Sequence, residues 1–188
     1  RQMCIRDSLL PGCEQDQQQV LHGMISKQAT RINRIIEDTL NMVKNKETHP
    51  VSIQLNEFIP QCIHEDLADI ADQIKLNIDM RLDIQFDEAQ LRQVLVNLLR
   101  NAVRHNDPAV GYVELKVHPY EHKVWIDVRD FGQGVAPADQ SLLFKPFFST
   151  SINGTGLGLY LSHSFCEANQ AQLNYIPVSY THLTLPTI

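Results

Sequence analysis

The sequence predicts an α+β fold, in which a helical arm precedes a domain of several strands and about three helices. Apolar residues recur every three or four positions from Gln15 to Lys46, which is the period of one helix face. Apolar and polar residues alternate along "YVELKV" and "KVWIDVRD", as they do in half-buried strands. Between residues 51 and 177, stretches with a helical period and stretches with strand alternation follow each other without an internal repeat, which favours one mixed domain.

The composition is that of an ordinary globular protein. Its 188 residues, of which 43% are hydrophobic and 20% charged, suffice for one domain and an appendage. A net charge of −6 offers no basic face for nucleic acid, and no apolar run approaches the ~20 residues of a membrane span. The cysteines have no metal-ligand spacing, which favours reduced thiols. We therefore expect a cytoplasmic location, no nucleic-acid partner and no direct membrane contact in this stretch.

Both ends of the sequence resemble translated library-adaptor sequence. These are "RQMCIRDS" (residues 1–8) and "VSYTHLTLPTI" (residues 178–188). We exclude them from the fold and expect the natural chain to run from about Leu9 to Pro177, cut on both sides. The alternative is that both are genuine termini. We expect the natural chain to have a further strand after Tyr175. If the cut removes that strand, an edge of the sheet is exposed.

The arm carries a broad apolar face with two polar interruptions. The positions along it are Leu21, Ile25, Gln28, Ile32, Ile35, Thr39 and Met42. Gln28 and Thr39 argue against a simple coiled coil. A helix with so broad an apolar face needs a bundle partner, within the chain or in a second copy. His49-Pro50 ends this helix.

The first half of the domain alternates between short strands and capped helices. The predicted elements are a strand over Val51–Leu55, a helix from Asn56 to about Asp69, strands near Ile74–Met80 and Leu82–Phe86, and a helix over Glu88–Arg104. Asn56 and Asp87 are predicted to cap the two helices. The run Asn106-Asp107-Pro108 ends the second helix.

The second half begins with two long strands and closes on a helix and a strand. The predicted elements are two strands joined at His118–Glu121, a short helix near Pro137–Leu143, a helix over Leu157–Ala168 and the strand "AQLNYI". Glycines are concentrated between these elements, at residues 132–134 and 154–158.

Two asparagines interrupt the otherwise apolar helix "QVLVNLLRNAVRHN". Asn97 and Asn101 lie four residues apart and therefore on one helix face. Asn is a poor helix former, and its side-chain oxygen can help to hold Mg²⁺. Arg104 and His105 follow one turn later as candidates to face phosphate or to stack on a ring. The alternative is an exposed polar face without a ligand.

Two glycine-rich stretches suit a nucleotide. In "DVRDFGQGV", the carboxylate of Asp130 ends a strand beside glycines that admit a flat ring, so it suits the exocyclic amine of adenine. In "NGTGLGLYLS", glycines precede a helix whose free N–H groups attract phosphate. The alternative for the first stretch is a turn with a capping Asp, and the alternative for the second is a flexible loop. Asp130-Phe131-Gly132 spells a protein-kinase motif, but the companion motifs and a Walker sequence are missing.

In this order and spacing, the motifs resemble the catalytic, ATP-binding part of bacterial two-component sensor histidine kinases. The N box is "NLLRNA", the first glycine box "DFGQG", the phenylalanine box "FKPFF" and the second glycine box "GTGLGL". The phenylalanine box is expected to anchor a mobile segment. The resemblance covers about residues 51–177, and residues 9–48 look like the second helix of the dimerisation and phosphotransfer hairpin. Within this family, the stretch "FFSTSINGTGLGLYLS" resembles most the sensor kinases of type IV pilus regulation.

The resemblance implies a two-layer α/β sandwich of the gyrase, chaperone and histidine kinase ATPase type. It also implies that Asp130 binds the adenine amine, that Asn101 helps to hold Mg²⁺ and that Val135–Thr155 form an ATP lid. The implied ATP-binding residues are Asn97, Asn101, Arg104, His105, Asp130, Gly132, Gly134, Phe148, Thr150, Gly154, Thr155, Gly156, Leu157 and Gly158. The implied cofactors are ATP and Mg²⁺.

The implied reaction passes the γ-phosphate of ATP to a histidine of the dimerisation domain, for relay to an aspartate of a response regulator receiver domain. The implied assembly is a homodimer formed through the helical hairpin. ATPases of the superfamily carry Glu four residues before the metal Asn, where this chain has Asn97. Because an amide cannot deprotonate water, we expect slow hydrolysis.

Two departures from the family leave alternatives open. None of the eight histidines has the acidic, Arg and Pro context of the phosphoacceptor, so we expect the acceptor to be absent here. Ser151 stands where many relatives carry Lys. The alternatives are a regulatory ATP-binding module and an anti-sigma-type serine kinase, and the bundle-type arm argues against the latter. Asn101, Asp130 and the box glycines argue against a pseudokinase scaffold.

Overall fold

A computed structural model describes residues 20–23, 25–26, 28–29, 32, 48–78, 80–121, 123–151, 154–177 and 180–186, the last stretch by its backbone. The described residues of the arm are helical and exposed, among them Leu21 at 56%, Ile25 at 58% and Ile32 at 56%. The predicted positions Ile35, Thr39 and Met42 lie outside the described residues. Within the described part of the chain, no helix has the length and apolarity needed to cross a membrane.

From residue 51 onward, the described residues form strands and helices in mixed order. The strands are β1 (Val51–Gln54), β2 (Ile74–Ile78), β3 (Asp83–Phe86), β4 (Val113–Tyr120), β5 (Lys123–Arg129), β6 (Gln172–Ile176) and β7 (Tyr180–Pro186). The α-helices are α1 (Leu55–Asp66), α2 (Glu88–His105) and α3 (Gly158–Ala168). Strands β1 and β3 pair as an antiparallel ribbon, and the other five form one sheet in the order β2-β4-β5-β7-β6. Strand β2 is parallel to β4, and the remaining pairs are antiparallel.

The helices cover one face of the five-stranded sheet. The buried side chains of the sheet are Val113, Leu115, Val117, Val124, Ile126, Val128 and Leu173. Helix α2 contributes Leu91, Val94, Leu95, Leu98, Leu99 and Ala102 to the same core. Alternate residues of β4 and β5 point into this core because strand side chains alternate between faces. The arrangement confirms the predicted two-layer α/β sandwich.

Helix α2 lies at the centre of the helical layer and begins where the sequence predicts. The Oδ1 atom of Asp87 accepts a hydrogen bond from the N–H of Gln90 at 3.1 Å, so Asp87 is the N-cap. Arg92 bridges to Asp66 at 2.7 Å and Arg100 to Asp69 at 2.9 Å. These ion pairs fasten α2 to α1 and to the turn that follows α1.

Several predicted boundaries are wrong, among them the end of α1, which lies at Asp66 and not near Asp69. Asn56 does not cap α1, which begins one residue earlier with Gln54 at the N-cap. Leu55 is fully buried and its N–H donates to the carbonyl of Leu82 at 2.9 Å, so tertiary contacts set this start. Strand β4 also continues to Tyr120, inside the predicted turn at His118–Glu121, since Tyr120 still pairs with Lys123 in β5.

Pro119 fits within β4 because of where the neighbouring strand ends. The pairing of β2 with β4 stops at Val117, so beyond that residue β4 has β5 as its one partner among the described strands. A strand with one free edge tolerates the missing N–H of proline. The short helix expected over residues 137–143 is reduced to a 3₁₀ turn at Gln140–Leu142.

The described five-stranded sheet continues past Pro177. Residues Tyr180–Pro186 form β7 between β5 and β6, so β5 is paired on both sides and β6 is an edge strand of the described sheet. The alternating run "YTHLTL" has the pattern of a strand, whatever its origin. That residues 1–8 and 178–188 derive from adaptor sequence stays a prediction.

The core allows a direct test of the fold. We expect Leu95→Ala to lower the free energy of unfolding by about 2–5 kcal/mol, because Leu95 is fully buried and its removal leaves a cavity. The control Lys116→Ala, on the exposed face of β4, should change it by less than about 0.5 kcal/mol. Urea denaturation measures both variants, and equal stabilities would contradict the described core.

Candidate functional site

A stripe of polar residues runs along α2 at every fourth position. Asn97 is buried, Asn101 is half-buried and His105 is exposed at the last residue of the helix. Residues four apart in an α-helix share a face and are separated by about 6 Å along the axis. The stripe therefore leads from the buried middle of α2 to its exposed C-terminal end.

The buried end of this stripe contacts the start of α3. The Nδ2 atom of Asn97 donates to the carbonyl oxygen of Gly158 at 3.3 Å and to Oγ of Ser162 at 3.4 Å. The Oδ1 atom of Asn97 accepts from Nε2 of Gln93 at 3.3 Å. Asn97 thus joins the N box to the second glycine box. The first N–H groups of α3 have no carbonyl partner within the helix, which makes this end attractive to anions.

The second glycine box folds back on the phenylalanine box. Gly156 has a φ of +70°, and a Cβ there would collide with the backbone carbonyl carbon of Phe147. The hydroxyl of Thr155 accepts from the N–H of Leu157 at 3.3 Å, just before α3 begins. Glycine is needed at residue 156 because both its backbone angle and the space beside it exclude a side chain.

The exposed end of the stripe contacts the first glycine box. A Cβ on Gly132 would collide with the backbone carbonyl of His105, so this loop lies directly against the end of α2. The Oδ1 atom of Asp130 accepts from the N–H of Gly132 at 2.9 Å. No described residue donates a hydrogen bond to Oδ2 of this half-buried carboxylate. The free oxygen can accept a hydrogen bond from a ligand.

Asn106 holds the first glycine box in place, a role that sequence reasoning missed. Its Oδ1 accepts from the N–H of Phe131 at 2.9 Å, and its Nδ2 donates to the carbonyl of Gly111 at 2.7 Å. The guanidinium of Arg129 lies 4.7 Å from the ring centre of Phe131. The available signal is the position of Asn106 four residues after the N box, in the run that ends the predicted helix.

Tyr175 fixes the start of the predicted lid. Its hydroxyl oxygen accepts from the N–H of Val135 at 3.0 Å, and Nε2 of Gln140 donates to the carbonyl of Val135 at 3.2 Å. The preceding Gly134 has a φ of +69°, and a Cβ there would lie 3.4 Å from the Tyr175 hydroxyl. Both backbone groups of Val135 are therefore held by side chains, one of them from β6.

The phenylalanines of the predicted lid have different environments. The ring of Phe144 lies 4.9 Å from the ring of His163 in α3, so Phe144 anchors the segment as expected. Phe147 does not anchor it, because 72% of its surface is exposed and its φ is +65°. Phe148 is half-buried and Thr150 is exposed. Ile152 and Asn153 lie outside the described residues.

The remaining predicted positions surround the two glycine boxes. Arg104 is exposed in the last turn of α2, beside His105. A Cβ on Gly154 would collide with the hydroxyl of Ser149, so these two residues pack tightly within the predicted lid. Gly158 begins α3, and Leu157 before it is fully buried. The assignment of these residues to ATP stays a prediction.

The described cysteines do not supply nucleophiles. Burial raises the pKa of the Cys62 thiol to about 11 and that of the Cys166 thiol to about 12. Both thiols are therefore protonated at neutral pH and react poorly. Among the described residues, no three His, Cys, Asp or Glu side chains form a cluster that could hold a metal ion.

Tyr175 provides a test of the start of the lid. We expect Tyr175→Phe to increase hydrogen exchange at the Val135 amide roughly two- to tenfold, because this N–H loses its acceptor. Amide exchange followed by mass spectrometry measures it. The control Tyr112→Phe alters a tyrosine that is 62% exposed and should leave exchange at Val135 unchanged. Equal protection in wild type and Tyr175→Phe would remove Tyr175 from this role.

Comparison with known proteins agrees with the sequence motifs. The family model "Histidine kinase-, DNA gyrase B-, and HSP90-like ATPase" matches residues 86–187. The sensor protein kinase PilS of Pseudomonas aeruginosa is 36% identical over 163 residues, which are 82% of this chain and 31% of PilS. The sensor histidine kinase ZraS of Escherichia coli is 31% identical over 151 residues, which are 78% of this chain and 32% of ZraS. The chain thus spans about a third of the length of these relatives.

A solved structure supports the fold independently. Full-length ShkA in complex with AMPPNP matches with a TM-score of 0.70 at 20% sequence identity, covering 92% of this chain and 40% of that chain. The resemblance to sensor histidine kinases that the four boxes indicate is confirmed by the family match and by the named relatives. The chain belongs to the histidine kinase-, DNA gyrase B- and HSP90-like ATPase family.

Proposed function

We propose that this chain binds Mg-ATP along α2 and donates the γ-phosphate to a histidine on the dimerisation domain of a sensor kinase. From there the phosphoryl group passes to an aspartate of a response regulator receiver domain. The observation that carries the proposal is the polar stripe of α2, which joins the Asp130 loop at one end to the start of α3 at the other. The amine of adenine needs a hydrogen-bond acceptor, which the Asp130 loop offers. The phosphates need N–H donors, which the start of α3 offers.

The geometry favours one orientation of the nucleotide. Asp130 offers its free Oδ2 to the adenine amine, on a loop that lies directly against the exposed end of α2. The start of α3 offers unpaired N–H groups to the phosphates. Asn97 and His105 mark these two ends of the stripe, about 12 Å apart along the axis of α2.

Asn101 suits a magnesium ion carried by the phosphates. Its half-buried side chain makes no hydrogen bond to a described residue, and it lies on the stripe between the two ends. Magnesium in nucleotide sites takes few protein ligands and keeps waters and phosphate oxygens. A single amide oxygen on α2 therefore fits this donor set, and the ion would neutralise charge on the phosphates.

The environment of Asn97 favours transfer over hydrolysis. Its amide is hydrogen-bonded to Gly158, Ser162 and Gln93, and an amide does not accept a proton from water. Water near the γ-phosphate would therefore have no base at this position. The phosphoryl group is kept for a better nucleophile, the imidazole of the acceptor histidine.

The arm favours a sensor kinase over a regulatory ATP-binding module or an anti-sigma-type serine kinase. Its described residues expose Val20, Leu21, Ile25 and Ile32 on a helix. Burying such a face in a helical bundle is favourable. We infer that the arm pairs with a second copy of the chain through the hairpin and that this part lies in the cytoplasm, where ATP and receiver domains occur.

Two variants test the nucleotide site. We expect Asp130→Ala to lower the affinity for ATP about tenfold or more, since a charge-assisted hydrogen bond contributes ~1.5–3 kcal/mol. We expect Asn101→Ala to lower it mainly when Mg²⁺ is present. Titration with a fluorescent ATP analogue, with Mg²⁺ and with chelator, measures both effects. The exposed residues Asp72 and Asn77 supply the matched controls Asp72→Ala and Asn77→Ala.

Each variant has its own contradicting result. Unchanged affinity in Asp130→Ala, with native stability, would remove Asp130 from the site. An equal loss for Asn101→Ala in Mg²⁺ and in chelator would show that Asn101 does not serve the metal.

Labelled ATP tests the reaction. We expect the chain alone to take up no label from γ-labelled ATP and to transfer label when a hairpin carrying an acceptor histidine is added. The label should be lost in acid and kept in base, as for phosphohistidine. Acid-labile label on the chain alone would show that one of its own histidines is the acceptor. Acid-stable label on a serine of an added protein would favour the anti-sigma-type kinase.

A further inference from the structure

Helix α3 is fastened to α2 at both ends, and the contacts at its C-terminal end are shorter. Near the start of α3, Asn97 makes hydrogen bonds of 3.3 and 3.4 Å. Just after its end, Nδ2 of Asn169 donates to Oε1 of Gln90 at 2.7 Å, and Oδ1 of Asn169 accepts from the N–H of Asp87 at 2.8 Å. Only 7% of Asn169 and 3% of Gln90 are exposed. Asn169 therefore makes the shorter of the described hydrogen bonds that hold α3 against α2.

The side chain of Asn169 is fully engaged in this buried place. Besides Gln90 and Asp87, it contacts its own helix, where Nδ2 donates to the carbonyl of Phe165 at 2.8 Å. A buried polar group that loses its hydrogen-bond partner destabilises the folded state. Asn169 and its three partners therefore favour the one arrangement in which all of them are bonded. A side chain without an amide would leave the Asp87 N–H and the Gln90 oxygen unpaired.

Asp87 connects the same contact to the chain segment that follows the arm. Its Oδ1 caps α2, while its Oδ2 accepts from the backbone N–H of His49 at 3.0 Å. One residue therefore bonds to the start of α2, to the end of α3 and to the segment before β1. The positions of these three elements depend on one another.

We propose that Asn169 is a positioning residue for the phosphate-binding start of α3, an inference that rests on the proposed nucleotide site. An α-helix of this length is a stiff rod of about 16 Å, so a shift at its end moves the N–H groups at its start. The Asp130 loop contacts the opposite end of α2 and makes no hydrogen bond to Asn169. Loss of Asn169 therefore affects phosphate binding and spares adenine binding.

The contrast between adenosine and ATP tests this role in the full chain. We expect Asn169→Leu, a change of similar volume, to weaken ATP binding about fivefold or more, the effect of roughly one lost hydrogen bond. Adenosine affinity should stay within about twofold of wild type. Gln90→Leu removes the 2.7 Å bond alone and should show the same contrast in weaker form. Asn174→Leu, on an exposed residue of β6, should change neither affinity.

Calorimetric titration of each folded variant with adenosine and with Mg-ATP separates the outcomes. If wild type binds neither ligand, the proposed nucleotide site is wrong and this inference fails with it. If wild type binds both and the variants lose both affinities equally, or lose neither, Asn169 has only a structural role and the nucleotide site stands. Should Asn169→Leu fail to fold, Gln90→Leu decides by the same contrast.

Discussion

The rest of the structure depends on the burial of α2, which packs against the sheet and lies between α1 and α3 in the helical layer. One side of this helix places Leu91, Leu95 and Leu99 in the core, which fixes its position over β4 and β5. The same helix also carries the polar stripe of Asn97, Asn101 and His105, because residues four apart share a face. Since the apolar side cannot rotate without exposing the core, Asn97 and Asn101 have one orientation available. The site is thus positioned by the hydrophobic packing.

Local patterns in the sequence predict most of this architecture. The Asp87 cap, the extent of α2, the alternation in β5 and the start of α3 all arise from neighbouring residues, and the structure has them within a residue or two. The four boxes predict that the N box and both glycine boxes come together, and their contacts in the structure agree with it. The predicted boundaries that are wrong depend on contacts between residues that are distant along the chain. The burial of Leu55 moves a helix start, and the end of β2 lets Pro119 remain in a strand.

The missed residues share one property, which is that their partners are far away along the chain. Tyr175 bonds to Val135, 40 residues earlier, and Asn169 bonds to Asp87, 82 residues earlier. Neither position has a local pattern that distinguishes it from an ordinary polar residue in a strand or after a helix. Asn106 is the intermediate case, since its partners lie 5 and 25 residues away and its place after the N box was visible. Positioning residues of this kind are found only once the topology is known.

The order of strands in the sheet has a consequence for how the domain is made. Strand β6 joins β5 only through β7, which follows it in the chain. The hydroxyl that holds the first residue of the lid belongs to β6. During synthesis, the residues from α2 to β5 leave the ribosome well before any strand can fill the gap beside β5. The helical layer can therefore pack early, whereas the start of the predicted lid gains its hydrogen bond to Tyr175 once β6 has joined the sheet through β7.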